Sequence, residues 1–432
     1  MNNGILRTPC AVDIEITNLC NHSCRYCYNF WRHDSDFKGL SMSKQNLDLV
    51  IGELIKNKVF NVVLTGGEPF INYDVLLHGV KRLTRAGILV SCNSNLTLAT
   101  KEQLKELREA GLPHILTSLA SFDPGVNDRI FNKKGSFVKI VNNIRNAVEI
   151  GFRISVNTVI SKYSKDHVYK TGLLISALGA KNIFLTRVVP CSSCKEEIAS
   201  EFILKPEEYL PILDDALRVK RETGINTGSL IQYPVCFLKD VNKYSDFLGR
   251  GCPAGKKMVC INANGDAHAC FHEKQPYGNI FKDSLQSIWG KMKMWRDESL
   301  IPDICRKCSW LAWCEGGCRV YAKDLKSPDF LCQGNSKGMP KPVKEKINKK
   351  SIQLPAKIKL RVKPDLRFRE EEGFWLFHTV GASITQVNPS NARFLIDKYN
   401  TKIEFMLKDF PGKKASIEEL ISRNIVEVVD RS

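Results

Sequence analysis

The stretch Cys20-Asn-His-Ser-Cys24-Arg-Tyr-Cys27 constrains this chain more than any other. It follows a short apolar run, Val12–Thr17, that reads as a strand. Three thiols at CxxxCxxC spacing hold three irons of a [4Fe–4S] cube, which asks for four thiolates, so the fourth iron is left open for chemistry. Zinc is the competing occupant. Zinc sites close with a fourth Cys or His at matching spacing, and His22 lies inside the loop itself, badly placed for that. Tyr26, one residue before the last thiol, is an aromatic that can pack on a flat ligand ring.

A second segment belongs with the first. Thr65-Gly66-Gly67-Glu68-Pro69 closes another strand-like run, Asn61–Leu64, about forty residues after the thiols. Glycines there let backbone groups approach a ligand closely, because no β-carbon blocks them. Together the two segments resemble the radical SAM superfamily. The resemblance implies that the open iron binds the amino and carboxylate groups of S-adenosylmethionine (SAM). The reduced cluster then cleaves SAM to a 5′-deoxyadenosyl radical. Gly66, Gly67, Glu68 and Pro69 stand where the family has its cofactor-binding GGEP motif.

From Val12 to Glu222, strand-like and helix-like runs alternate. After the first two strands come Leu89–Asn93, His114–Leu119, Arg153–Ile160 and Asn182–Arg187. The clearest helix between them carries Phe137, Ile140, Val141, Ile144 and Val148 on one face, and Thr100 with Gln103 reads as a capping box opening another. Six βα units predict a parallel sheet with helices outside it, and periodicity does not separate a partial barrel from a doubly wound sheet. The family resemblance implies a (β/α)6 partial TIM barrel. In either architecture ligand groups gather at the carboxyl ends of the strands. Asn93, Asn95, Ser118, Asn157 and Arg187 stand there, and Arg129 follows the fourth strand. In related enzymes such places contact the ribose, carboxylate or adenine of SAM. Polar residues at strand ends also serve simply to satisfy backbone groups or cap helices. Cys191 and Cys194 form a CxxC read as a loop pair.

The second cysteine array runs from Cys236 to Cys332. Cys252 is followed by twelve residues, Gly265, four residues and Cys270; then come Cys305-x2-Cys308-x5-Cys314-x3-Cys318 and finally Cys332. Every spacing is that of the seven-cysteine SPASM pattern, and the resemblance implies two auxiliary [4Fe–4S] clusters, as in sulfatase-maturing enzymes and peptide maturases. Carried over position by position, Cys252, Cys270 and Cys318 hold the first. Cys305, Cys308, Cys314 and Cys332 hold the second. Cys236 is the expected fourth thiolate of the first cluster, and Cys260, in a strand-like run, reads as a buried apolar thiol. A pair of zinc ribbons is the alternative reading of the array.

Sixteen cysteines are too many for an ordinary cytosolic enzyme, yet the chain shows neither a charged-then-apolar leader nor a run of about eighteen apolar residues. The expectation is a cytoplasmic chain with no membrane partner, whose cysteines bind metal rather than pair. The net charge is +18, half of it in residues 333–363. Prolines punctuate that stretch and no apolar periodicity crosses it, so it reads as a solvated linker rather than a nucleic-acid patch. Residues 358–432 follow as short strands, a helix begun by Asn388 or Ser390 with Pro389, a capping box at Ser416 and Glu419, and a last strand Ile425–Val429. That order resembles the winged-helix-like peptide chaperone of pyrroloquinoline quinone biosynthesis, which binds leader peptides by strand addition. A packing or dimerisation module is the alternative.

The expected organisation is an α/β barrel over 1–230, a SPASM domain over 231–335, a basic linker over 336–357 and a small α+β module over 358–432. The expected activity is radical modification of a ribosomally made precursor peptide, giving a crosslink, thioether or oxidised residue. A low-potential donor such as flavodoxin or ferredoxin would supply the electron. A maturase of a sulfatase or metalloenzyme, and a non-catalytic iron–sulfur electron carrier, are the rival readings.

Overall fold

The computed structural model describes residues 6–24, 26–29, 38–189, 201–248, 250–334, 358–380 and 384–430. Cys191, Cys194 and the basic linker lie outside the described residues. The chain forms two compact units, one of residues 8–342 and one of residues 343–432 with the first seven.

Seven parallel strands build the larger unit: β1 (Ala11–Thr17), β2 (Asn61–Gly66), β3 (Leu89–Asn93), β4 (His114–Ser118), β5 (Arg153–Ile160), β6 (Asn182–Arg187) and β7 (Asn226–Gly228). Each pairs with its sequence neighbour, so the order runs from β7 to β1 without reversal. A doubly wound sheet reverses its order at a switch point, whereas strands added always on the same side wind as a barrel arc. The partial barrel is therefore the architecture. Its strands alternate with α1 (Lys44–Lys56), α2 (Tyr73–Arg85), α3 (Lys101–Glu109), α4 (Pro124–Phe131), α5 (Ser136–Ile150) and α6 (Val168–Ala177). Thr100 and Gln103 form the expected capping box at α3. In α5 the residues Ile140, Ile144 and Ala147 are buried, and the helix stops at Gly151, whose φ of 94° suits a residue without a β-carbon.

Several contacts join the cysteine-rich segment to this barrel, two of them central to its placement. Strand β8 (Met258–Ile261) pairs parallel to β1, and β9 (Ala267–His268) pairs antiparallel to β8, extending the barrel sheet to nine strands. The second of these is an ion pair. Arg187, the last residue of β6, donates through two nitrogens to Asp329, each at 2.9 Å, and both side chains are wholly buried. Asp329 also accepts the backbone N–H groups of Cys318 and Leu331, each at 2.9 Å. The guanidinium lies over the rings of Tyr321 and Tyr233, at 4.2 and 5.0 Å.

Among the described residues the smaller unit has six strands, β10 (Lys359–Val362), β11 (Arg367–Glu371), β12 (Phe374–His378), β13 (Thr385–Val387), β14 (Phe405–Met406) and β15 (Val426–Asp430). They form two three-stranded antiparallel sheets, ordered β14-β10-β15 and β11-β12-β13. Asn388 caps the helix Pro389–Thr401, accepting the N–H of Asn391. The expected box at Ser416 and Glu419 is not the start of the next helix. That helix begins at Lys414, and the N–H of Ser416 donates to the carbonyl of Lys413. Leu360, Phe377, Leu395 and Ile417 meet in one apolar core.

Replacing Asp329 with Ala strands a buried guanidinium and two backbone N–H groups. It is expected to lower stability by about 3–5 kcal/mol in urea unfolding, with Arg187→Met costing less because Asp329 keeps its backbone donors. A loss below about 1 kcal/mol for Asp329→Ala would show that the pair does not hold the joint.

Candidate active site

The carboxyl ends of β1, β2 and β3 lie side by side, and the turn after each carries part of the site. The N–H of Gly67 donates to the carbonyl of Thr17 and the N–H of Glu68 to that of Leu19, both at 2.7 Å. A β-carbon on Gly66 would collide with the Thr17 carbonyl, and one on Gly67 with that of Leu19. The glycines thus let the turn after β2 lie against the chain leading to the thiols. This chain-on-chain approach is a second demand on the same glycines, beside the approach to ligand expected from the sequence.

Glu68 ties this turn to the next. It is fully buried and caps the short 3-10 helix Pro69–Asn72, accepting the N–H of Phe70 at 3.2 Å. Its carboxylate also accepts from the Ser94 hydroxyl and the Asn95 N–H, both at 2.7 Å. Burial pushes its pKa up to about 7, while hydrogen bonds from Ser94, Asn95 and Phe70 pull it down. Asn95 carries the connection to the thiols. Its Nδ2 donates to Asn21 Oδ1 at 2.9 Å and reaches Cys20 Sγ at 3.9 Å. Cys20 Sγ also accepts the backbone N–H of His22 at 3.4 Å.

His22 is buried, hydrogen-bonded to Thr97 at 3.2 Å and stacked on Phe131, so it braces the loop. Cys24 donates to the carbonyl of Phe131 at 3.7 Å, and Asn132 holds Ser23 at 2.9 Å. Arg129, on the same helix α4, is exposed and donates to the Tyr163 hydroxyl at 3.3 Å. Tyr26 packs edge-on against Phe202, in a cluster with Val188 and Tyr163. Ser118 and Asn157 are register partners on β4 and β5, and Asn157 accepts from Thr186 at 2.6 Å. Asn93 is the last residue of β3, opposite Leu116. The structure therefore brings Cys20, the Gly66–Pro69 turn and Asn95 into direct contact. Arg187 is a correction: its guanidinium is committed to Asp329 and the Gln232 carbonyl, a joining role where a cofactor contact was expected.

One group of residues went unnoticed in the sequence. On β1, Val12, Ile14 and Ile16 are fully buried on one face, leaving Asp13 and Glu15 on the other. Asp13 lies between Val63 of β2 and Cys260 of β8. The Tyr28 hydroxyl is held far above its usual pKa by burial and by Cys27, Glu15, Cys260 and Asp13 around it. Its ring lies 4.6 Å from that of His272, whose pKa burial pushes down to about 4. Asp13 is raised to about 7 by burial, with Arg250 opposing. The signal was present: a strand reading Val-Asp-Ile-Glu-Ile-Thr alternates apolar and acidic residues, and a barrel interior is where the acidic face goes.

The second array forms two groups. Cys252, Cys270 and Cys318 are electrostatic neighbours of one another. Cys305, Cys308, Cys314 and Cys332 line a separate cavity. The expected placement of Cys236 with the first group is corrected. Cys236 lines the cavity of the second, its sulfur 3.8 Å from that of Cys332. The short helix Val235–Leu238 fixes it there, with the Val235 N–H donating to Cys314 Sγ at 3.4 Å. Cys260 is buried on β8 beside Asp13. Among the described residues, no three His, Cys, Asp or Glu side chains converge on one point as a single bound ion requires. A cube instead meets its thiolates at separate corners.

Comparison with known proteins decides the family. Residues 14–174 match the Radical SAM superfamily, and residues 252–309 match the SPASM iron-sulfur cluster-binding domain. The PqqA peptide cyclase of Bradyrhizobium diazoefficiens is 30% identical over 320 residues, covering 73% of this chain and 82% of the relative. The chain belongs to the radical SAM superfamily. Mycofactocin maturase MftC of Mycolicibacterium smegmatis is 26% identical over 387 residues, 85% of this chain and 95% of MftC. Streptococcus suis SuiB, solved with its precursor peptide SuiA, shares the fold: TM-score 0.62 at 18% identity, covering 76% of this chain and 77% of SuiB. This radical SAM protein is thus an enzyme whose cofactors are a [4Fe–4S] cluster and SAM. The reading as a non-catalytic electron carrier falls away. Among the described residues, no helix is long and apolar enough to cross a membrane.

The raised pKa of Asp13 has a stability consequence. Between about pH 4 and 7 the folded chain keeps a proton on Asp13 that the unfolded chain has released, so stability falls as pH rises through that window. Asp13→Asn removes this dependence. The variant is expected to gain on the parent from pH 4 to 7, the gain reaching about 4 kcal/mol by pH 8 in urea unfolding. An equal difference at pH 5 and pH 8 would contradict the placement of Asp13.

Proposed function

We propose that Cys20, Cys24 and Cys27 hold the [4Fe–4S] cluster and leave its fourth iron to SAM, and that the substrate is a ribosomally made precursor peptide. The donors around Cys20 carry the first part. Its sulfur receives the His22 N–H and the Asn95 amide, and N–H donors aimed at sulfur suit a cluster-bound thiolate. Held by Cys20, Cys24 and Cys27 and reduced, the cluster would supply the electron for cleaving the C5′–S bond of SAM, and the cleaved cofactor would supply the hydrogen-abstracting power.

The rest falls to the chain. Glu68 and Asn95 hold the thiol loop against the ends of β2 and β3, so the reacting groups are positioned before substrate arrives. Asp13, Glu15, Tyr28 and His272 form a polar surface beside Cys27, which would orient a peptide side chain and accept the proton released as a new bond forms. Cys252, Cys270 and Cys318 would hold one auxiliary cluster, and the group around Cys332 a second, carrying electrons to or from the barrel. A flavodoxin or ferredoxin in a reducing cytoplasm would supply the low-potential electron.

The peptide reading rests on the relatives, one named as a peptide cyclase and one solved with a precursor peptide, and on the smaller unit. There β11 and β13 are the outer strands of a three-stranded sheet, the kind of edge to which an extended leader adds. The organisation proposed is barrel 1–230, cysteine-rich domain 231–335, linker 336–357 and leader-binding module 358–432. Removing residues 358–432 is expected to abolish binding of the precursor leader while 5′-deoxyadenosine still forms with SAM and dithionite under anaerobic conditions. Unchanged leader affinity in the truncated enzyme would favour maturation of a folded protein, such as a sulfatase or metalloenzyme, instead.

A further inference from the structure

The second thiol group contains one sulfur more than a cube can use. Four thiolates complete a [4Fe–4S] cluster, and Cys305, Cys308, Cys314 and Cys332 already number four. Cys236 lines the same cavity as a fifth. It differs from Cys10, Cys92 and Cys260, which are at most 2% exposed and packed as apolar side chains. Cys236 is only partly buried, and its sulfur accepts the backbone N–H of Gln333 at 3.3 Å. Its thiol donates to Cys332 Sγ at 3.8 Å, and Cys332 Sγ stands 3.8 Å from Cys305 as well. Cys332 therefore sits between one thiol that must be a ligand and one that need not be.

We propose that Cys236 is an alternative ligand of the second auxiliary cluster, exchanging with Cys332 at a single iron. This rests on the reading of that group as a cluster site. In the exchange the Cys332 sulfur leaves the iron as the Cys236 sulfur joins it, and the proton of Cys236 passes to Cys332. One iron–sulfur bond breaks and one forms, and no electron moves. The backbone supports both states. Cys236 has its N–H donor from Gln333, the residue directly after Cys332, so one short segment carries both the competing sulfur and the donor to its rival. The helix Val235–Leu238 is in turn tied to the cluster group through Val235 and Cys314, which keeps Cys236 within reach.

The test is a brief anaerobic pulse of iodoacetamide on the iron-loaded full-length enzyme, read by peptide mass spectrometry with iron and sulfide counts. Iron-bound sulfurs resist alkylation. The expected result is label divided between Cys236 and Cys332, with Cys305, Cys308 and Cys314 protected. In Cys332→Ser, iron content should hold and Cys236 should become protected; in Cys236→Ser, Cys332 should become protected. The double variant should lose about four irons. Label confined to Cys236 in the parent enzyme, or on neither thiol, would overturn the proposal. So would a Cys332→Ser enzyme that loses as much iron as the double variant while Cys236 stays reactive. Should Cys332→Ser not fold, the parent footprint decides. Unchanged iron in Cys305→Ser/Cys308→Ser would instead overturn the cluster reading on which the exchange rests.

Discussion

A buried ion pair between Arg187 and Asp329 governs how the two halves of the larger unit meet. Taking both charges out of water costs several kcal/mol, which their attraction repays only when geometry and further hydrogen bonds are favourable. Both conditions hold. The contact is two-pronged, the guanidinium also donates to the Gln232 carbonyl, and two tyrosine rings cover it. Asp329 in turn orders the backbone at Cys318. The end of β6 and the position of a proposed cluster thiol are therefore fixed by one carboxylate. Removing either partner leaves the other charge buried without its counter-ion, so the cost of breaking such a pair exceeds its net contribution to stability.

Around that joint, the site follows from parallel strand order. Because β1, β2 and β3 run the same way, their carboxyl ends deliver the thiol loop, the Gly66–Pro69 turn and the Asn95 turn to one place. Glu68 makes the three turns a unit. It reaches Ser94 and Asn95 directly, and Asn95 reaches the thiol loop. The opposite consequence of strand geometry is the acidic face of β1. A residue period of two sends Asp13 and Glu15 to the side away from the apolar core, beside Tyr28 and Cys260 of β8. A radical enzyme needs polar groups near the reacting atoms but no solvent path, and side chains on the inner face of a barrel meet both needs.

Much of this was legible in the sequence because it depends on local pattern. Three of the six strands read in the sequence keep their boundaries, Leu89–Asn93, Arg153–Ile160 and Asn182–Arg187, the short seventh strand Asn226–Gly228 was not read, and Thr100 caps its helix as expected. Apolar alternation and capping chemistry are properties of neighbouring residues. What escaped depends on distant ones. Nothing near Cys236 tells which of two thiol groups, both remote in sequence, its helix will rest on. Arg187 read as a ligand contact because its partner lies 142 positions away. The sequence marked Gly66 and Gly67 as places of close approach to a ligand, and nothing local told that the backbone of Thr17 and Leu19 also packs against them. Ser416 and Glu419 form a valid capping pattern that the chain bypasses, the helix beginning earlier at Lys414.

Radical chemistry in this enzyme requires an iron at the Cys20, Cys24 and Cys27 site that no protein side chain occupies. Electron–nuclear double resonance of the reduced enzyme, with SAM labelled with 15N at its amino group, tests this directly. Strong coupling between the cluster spin and that nitrogen is predicted, together with its loss in Cys24→Ala. A normally reduced cluster with no such coupling, or zinc in place of iron at these thiols, would contradict it.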